Sequence, residues 1–505
     1  MQSGTLSPFS RLVIICMVIP WLLPVPAGKA RDMSLNECIV TALENNADLL
    51  VSRLDQDSAE SAVDGARAQY DPTFTAGVDY TNNRTQQSFA DLVLGGSETA
   101  SMNMGLGAYL PSGTTVSVSL DNRAVNTQDD LFRDETTYNS SLSLAVSQPL
   151  LKNAGREVVK APITIARRNL EITNEQIRGT VHDVIALVES SYWDLVYARG
   201  SLDVARDSRE LAAQQLERTR SLIATGKIAG IELLGAEATV VSREEDILLA
   251  EQVAMEAEDA LKQVLWLQPT ETQWALPLDL TDLPPSVATP DLNEQGLTGI
   301  ALEHRPDLAR LRVNMALREL DLTTARNAAK PSLTASANVA VSGYQDDFSG
   351  NMEQMARADL YSLGVGLDLS TPWHNRSGRS NRDQAVIRLE QAKLQLKKME
   401  TTITAQVRSA VRSVRTADKR IEASSRALDY ARRRLEAEER RFELGRSTSI
   451  DVADAQDQLT ISENAVLKAI IDHTKALTNL RKVTGTSMDG YTMIVVDTIV
   501  VPERK

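Results

Sequence analysis

Aromatic side chains make up only 4% of this 505-residue chain, and it carries two cysteines. The low cysteine count excludes a disulfide-stapled fold: Cys16 falls in an N-terminal segment expected to be removed, which leaves Cys38 unable to form an internal disulfide. Cys38 reads as a small buried apolar residue on the first helix. Basic excess is missing too, since 54 Lys and Arg stand against 68 Asp and Glu, a net charge of −14. That balance argues against nucleic acid as a partner. Beyond Leu23 no apolar run approaches the roughly 20 residues a membrane-spanning helix needs, so the mature chain is expected to have none. His182, His304, His374 and His473 are scattered, without Cys or His at ligand spacing, and no glycine-rich phosphate loop occurs. No catalytic site, metal site or cofactor is expected, and the chain does not read as an enzyme.

What is present begins with Arg11, an apolar run from Leu12 to Leu23, Pro24, Pro26 and small residues ending at Ala27 or Ala30. This is the pattern of a secretory signal peptide over residues 1–30. The rest is duplicated. Ala42-Leu43-Glu44-Asn45-Asn46-Ala47-Asp48-Leu49 recurs at a constant offset as Ala301-Leu302-Glu303-His304-Arg305-Pro306-Asp307-Leu308, and Pro72 recurs as Pro331. A second register relates Gly226, Lys227, Ile231, Glu232 and Ala236 to Gly445, Arg446, Ile450, Asp451 and Ala455. The first copy occupies 31–268, a proline-rich linker 269–290, the second copy 291–485, and a tail 486–505. The first copy carries about 40 extra residues, mostly between Pro72 and Pro149.

Each copy opens with a helix that stops at a proline and becomes a strand. Residues then alternate with period two, from Thr73 to Tyr80 and from Ser332 to Val339, with more such text at 101–110, 114–121, 137–147 and 362–369. Pro111-Ser112-Gly113 predicts a tight turn, so the extra material in copy one contains an added hairpin near 101–121. Whether that hairpin joins the sheet, lines it or lies outside stays open at this point. A very long helix follows, about 158–224 in one copy and 382–444 in the other, some 90 to 100 Å at 1.5 Å per residue. Val407, Val414, Ile421, Leu428 and Leu435 recur every seven residues, with Ala410, Ala417, Ser424 and Ala431 between them. Val188, Leu195, Leu202 and Leu216 do the same with Ser191, Ala198, Ala205 and Ala212, broken only by Arg209. Large aliphatics alternating with Ala or Ser make a coiled-coil seam, relaxed where Met399, Ile403 and Val407 are spaced by fours. Glycine turns at Gly226 and Gly445 end the long helices, and shorter helices, 231–267 and 450–483, return antiparallel.

Four strands per chain, or six with the inserted hairpin, cannot close a membrane barrel, which starts at about eight. An open sheet edge is forbidden in lipid, so several copies must share one barrel. Aromatics gather in the β windows, among them Phe74, Tyr80, Phe89, Tyr109, Phe132, Tyr138, Tyr344, Phe348 and Tyr361. A membrane-interface belt predicts this, and hairpin packing in a soluble sheet predicts it nearly as well.

The duplicated helix-proline-strand units, the paired long helices, and the turn Gly445-Arg446-Ser447-Thr448-Ser449-Ile450-Asp451-Val452-Ala453-Asp454-Ala455-Gln456 followed by Leu459 resemble the TolC family of outer-membrane efflux proteins. The resemblance spans about 34–485. It implies a mainly α fold with a β-barrel portion: a duplicated helix-strand-strand-helix-helix protomer in a homotrimer, with twelve strands in the outer membrane of a Gram-negative cell and twelve helices forming a periplasmic coiled-coil tunnel. It implies passive exit of substrates delivered by an inner-membrane pump or ABC exporter with a periplasmic adaptor, in efflux or type I secretion. Asp451 and Asp454 match the acidic rings of the periplasmic entrance. Their i, i+3 spacing puts both carboxylates on one helical face, where three-fold repetition would raise their pKa by mutual repulsion; acidic residues in a first turn also complement the helix dipole. Glu232, Arg446 and Phe442 are the candidates for closing contacts, with Ser447 standing where the family has the lock's arginine. Gly226, Lys227, Gly445 and Arg446 form the tips an adaptor would meet; ordinary helix punctuation explains them equally well. The alternative is a soluble periplasmic coiled-coil scaffold or adaptor without its own pore.

Overall fold

The computed structural model describes residues 31–502 apart from 85–86, 90–91, 95, 128–134, 268–273, 275–276, 285–291, 490–492 and 497–498. The expected signal peptide, 1–30, and Phe132 lie outside the described residues.

Each copy starts with a broken helix. In the first, α1 (Leu35–Asn45) is opened by a capping box in which Ser34 and Glu37 exchange hydrogen bonds. It ends at Asn46, whose extended backbone stops α1 while its side chain accepts from the amides of Asp48 and Leu49 to start α2 (Ala47–Arg67). The text then turns to strand after Pro72, and β1 (Thr73–Asn83) begins. Three more strands of the same sheet follow, β2 (Ser97–Tyr109), β3 (Thr115–Thr127) and β4 (Glu135–Pro149). The long helix α3 (Ala161–Ala224) has 64 residues, and α4 (Glu232–Val264) returns along it. The second copy repeats the plan with α5 (Glu294–His304), α6 (Pro306–Ala328), β5 (Ser332–Gln345), a short α7 (Phe348–Arg357), β6 (Leu360–Ser370), the 68-residue α8 (Arg376–Glu443) and α9 (Ser449–Thr484). At 1.5 Å per residue α3 and α8 run about 95 to 100 Å. No helix among the described residues is long and apolar enough to cross a membrane.

Six strands form one antiparallel sheet in the order β6-β5-β4-β3-β2-β1. The inserted hairpin is therefore part of the sheet, as the two strands between β1 and β4. This corrects the count the resemblance implies: twelve strands in a trimer require four per copy, and this chain presents six. The physical reason is in the register. Phe74 pairs with Leu106, Leu106 with Val118, Val118 with Leu144, Leu144 with Val339, and Val339 with Leu363. Because side chains alternate faces, these residues and those two positions away make one apolar face, while Thr75, Ser101, Ser119, Ser143, Ser336 and Gly364 fall on the other.

The helices pack as the heptads predict. Val407, Ala410, Val414, Ala417, Ala431 and Leu435 of α8 are buried, as are Val188, Leu195, Ala198, Ala205 and Ala212 of α3. Arg209, the break in the first seam, pairs at 3.2 Å with Glu244 across the hairpin. Cys38 lies in the core cluster that joins α1 and α3 around Ile185, Tyr192 and Leu195. Its duplicate joins α5, α6, α8 and α9 around Leu308, Val407 and Val411.

The expected linker does more than connect. Residues 278–280 pair in parallel with 31–33, just before α1, clamped by a charge cluster between α3 and α4. Glu258 meets Arg199 at 3.1 Å and Lys262 at 2.8 Å, and accepts from the Leu278 amide at 3.2 Å. Burial pushes the Glu258 carboxyl up, but the bonds from Lys262, the Leu278 amide and Arg199 outweigh it and hold the pKa below its ordinary value. The cluster's stability is thus present above the unfolded carboxylate range and is lost as pH falls through the depressed folded value. Glu258→Gln should cost about 2 kcal/mol by removing charge-assisted bonds and flatten the acid limb of the unfolding-versus-pH curve. Denaturant titrations at pH 7 and pH 4 check both.

Candidate functional site

The most chemically defined region lies at the end of the helical hairpins far from the sheet, where both copies turn. Gly226 and Gly445 adopt φ of 72° and 68°, the left-handed conformation that closes a helix with two capping bonds. The bonds are the same in both copies: Gly226 N to Ile223 O at 2.9 Å and Lys227 N to Leu222 O at 3.0 Å, Gly445 N to Phe442 O and Arg446 N to Arg441 O, each at 2.9 Å. The two turns are adjacent in space, for a Cβ added at Gly445 would sit 3.5 Å from the Lys227 carbonyl oxygen. Lys227 and Arg446 are exposed beside them.

The second turn is tighter because Thr448 opens α9 with a capping box. Its hydroxyl accepts from the Asp451 amide at 3.2 Å, and an Asp451 carboxylate oxygen accepts from the Thr448 amide at 3.0 Å and hydroxyl at 2.7 Å. Ser447 donates to the same oxygen at 3.3 Å. The side-chain bond from Thr448, then its amide, hold the Asp451 carboxyl below the ordinary aspartate range. This direction, set within one copy, is opposite to the rise that three-fold repulsion would bring. Asp454 is exposed with Asp451, while Val452 between them and Ala455 just after them turn inward and are buried. The two carboxylates therefore share the solvent side of α9.

Glu232 opens α4 in the first copy, and its carboxylate accepts from the Ser449 amide at 2.8 Å and the Ser449 hydroxyl at 2.6 Å. This is the direct polar bond between the two turns. Phe442 takes a different position: it is fully buried in a cluster with Leu435, Val452, Ala455 and Leu459, against which Leu222 and Ile228 of the first turn pack. Glu232, Asp451 and the glycine turns are thus brought together, with Phe442 as the apolar wedge beneath them.

Three partners were not singled out from sequence. Thr448 was legible, because Thr448-Ser449-Ile450-Asp451 is a capping-box pattern. Ser449 had no signal, since a serine in a first helical turn is unexceptional. Arg243, which pairs with Asp457 of α9 and with Asp246 at 2.9 Å, ties the returning helices of the two copies and looked like one charge among many.

This architecture defines a class of fold, one shared by chains of solved outer-membrane channels. The fold is similar to CusC (TM-score 0.67, 18% identity, covering 89% of this chain and 92% of that one) and to the outer-membrane channel OprN (0.67, 16%, 90% of each). It is also similar to VceC from Vibrio cholerae (0.66, 15%, 89% and 96%). The chain belongs to the outer membrane efflux protein family, whose pattern matches residues 38–265 and 297–486. A curated relative, the pyoverdine export outer membrane protein OpmQ of Pseudomonas aeruginosa, is 25% identical over 314 residues, 62% of this chain. The match spans 63% of that relative's length.

Removing the Glu232 carboxylate should free the Ser449 amide. In Glu232→Ala, hydrogen exchange at Ser449 and its neighbours is expected to accelerate at least several-fold while exchange at the sheet-proximal end of α9 stays unchanged. Equal rates in variant and parent would show that the bond does not hold the turns together. Because the Asp451 pKa is depressed, its cap should survive as pH falls past the usual aspartate value of about 3.9 and be lost only below it.

Proposed function

We propose that this chain is the outer-membrane duct of an export assembly, three copies enclosing one barrel and one helical tunnel through which substrates delivered by an inner-membrane pump and a periplasmic adaptor leave passively. The observation that carries this reading is the sheet: one face apolar across all six strands, the other lined by Ser, Thr, Asn, Asp and Gly, with both edges unpaired in a single copy. Apolar-out and polar-in alternation is what a water-filled barrel in lipid requires. The exposed side chains agree, since Phe74, Val78, Tyr361, Leu363, Val365 and Leu367 stand open on the apolar face. A soluble scaffold has no use for such a face.

The helices supply a second reason for self-association. Leu234, Val241, Leu248 and Met255, one heptad apart on α4, are 62–66% exposed. An apolar stripe of period seven facing solvent is half of a coiled-coil seam, and a neighbouring copy's helix is the partner whose period matches it. OpmQ is named for pyoverdine export; for this chain that supports outward passage of a solute and leaves its identity to the pump. The tip, with Lys227, Arg446, Asp451 and Asp454 exposed, is the surface an adaptor meets, and the two aspartates repeated three-fold give the entrance its negative potential.

Two measurements test this. Purified mature protein in a planar bilayer should give discrete cation-selective events, and Asp451→Asn with Asp454→Asn should lower that selectivity while leaving insertion unchanged; protein that stays soluble without detergent and never inserts would return the scaffold reading. Val241→Glu with Leu248→Glu should shift the detergent-solubilised protein from trimer toward monomer in mass photometry, with native secondary structure retained by circular dichroism.

A further inference from the structure

The added hairpin has the properties of barrel wall rather than of a loop ornament. Its strands, β2 and β3, have 13 residues each, against 11 to 15 in the other four. They alternate like their neighbours, with Met104 and Leu120 on the apolar face and Asn103 and Asp121 opposite. Their connecting turn is seated at the helical end of the sheet: a Cβ at Gly113, φ 86°, would meet Val159 at 3.0 Å, and Tyr109 stacks on Tyr70 with ring centroids 6.0 Å apart. The hairpin thus spans the full height of the sheet. The edge strands also fit each other, because β1 leaves the helical region and β6 re-enters it, so β1 of one copy meets β6 of the next antiparallel.

We propose that three copies close a single eighteen-stranded barrel, six strands from each, with the 97–127 hairpin of every copy in the membrane wall. This rests on the trimeric-duct reading above. Diameter grows roughly in proportion to strand number, so the barrel is about 1.5 times as wide as a twelve-stranded one. The helical tunnel suits that width. Four helices per copy run beside one another near the sheet, α2, α3, α6 and α8, and four nearer the tip, α3, α4, α8 and α9. Twelve helices spaced 8 to 10 Å apart give a perimeter of roughly 95 to 120 Å. Eighteen strands about 4.8 Å apart, tilted by about 40°, give roughly 110 Å, whereas twelve give only about 75 Å. The duct then needs no taper where helices become strands, and selection by size falls to the closed tip rather than to the barrel.

The test is electron cryo-microscopy of the full mature chain in detergent or nanodiscs. Three copies around eighteen strands, each β1 paired with a neighbour's β6, are expected. Three copies around twelve strands with residues 97–127 outside the wall would overturn this proposal and leave the duct reading standing. Two copies closing twelve strands would overturn the stoichiometry on which both rest, and an unassembled protein that holds no barrel would remove the duct reading itself.

Discussion

Backbone amides and carbonyls at the two edges of the sheet govern everything else in this molecule. A single copy leaves β1 and β6 unpaired, and in hydrocarbon each unsatisfied group costs several kcal/mol. No change of side chain within the chain removes that cost; only another copy of the same sheet can. In the proposed duct, oligomerisation is therefore a condition of the fold, and the solvent-facing heptad stripe on α4 extends the same demand along the helices.

The duplication meets that demand with few inventions. One plan, broken helix, strands, long helix, glycine turn and returning helix, is written twice, and the differences between the copies carry the specialisation. The first copy gained two strands. The second gained the Thr448–Asp451 capping box, so its turn is fixed by four side-chain bonds where the first relies on Glu232 reaching across. The two turns are thus asymmetric partners joined by the Glu232–Ser449 bonds.

Much of this was legible in the sequence because it depends on local rules. Period seven marked the seams, period two the strands, and glycine the turns, and these patterns hold to within a few residues. Arg209, the one break in its seam, proved to be an inter-helix ion pair. What remained closed was non-local. Alternation in β2 and β3 showed that they were strands, but their place between β1 and β4 depends on pairing over distance, which no short window records. Phe442 illustrates the limit at the site: the cluster that buries it also draws on Leu222 and Ile228, more than 200 residues away.

The pairing of residues 31–33 with 278–280 bears on how the chain is made. A polypeptide made from its N-terminus presents residues 31–33 long before their partner exists, since the whole of the first copy must follow before the linker arrives. Until then the head of the chain hangs unclasped and α1 lacks the lid that the linker forms over its core. The Glu258 cluster joins α3, α4 and the linker at one point, so its assembly marks the moment at which the first copy is complete. The chain thus carries its own sign that its first half is complete.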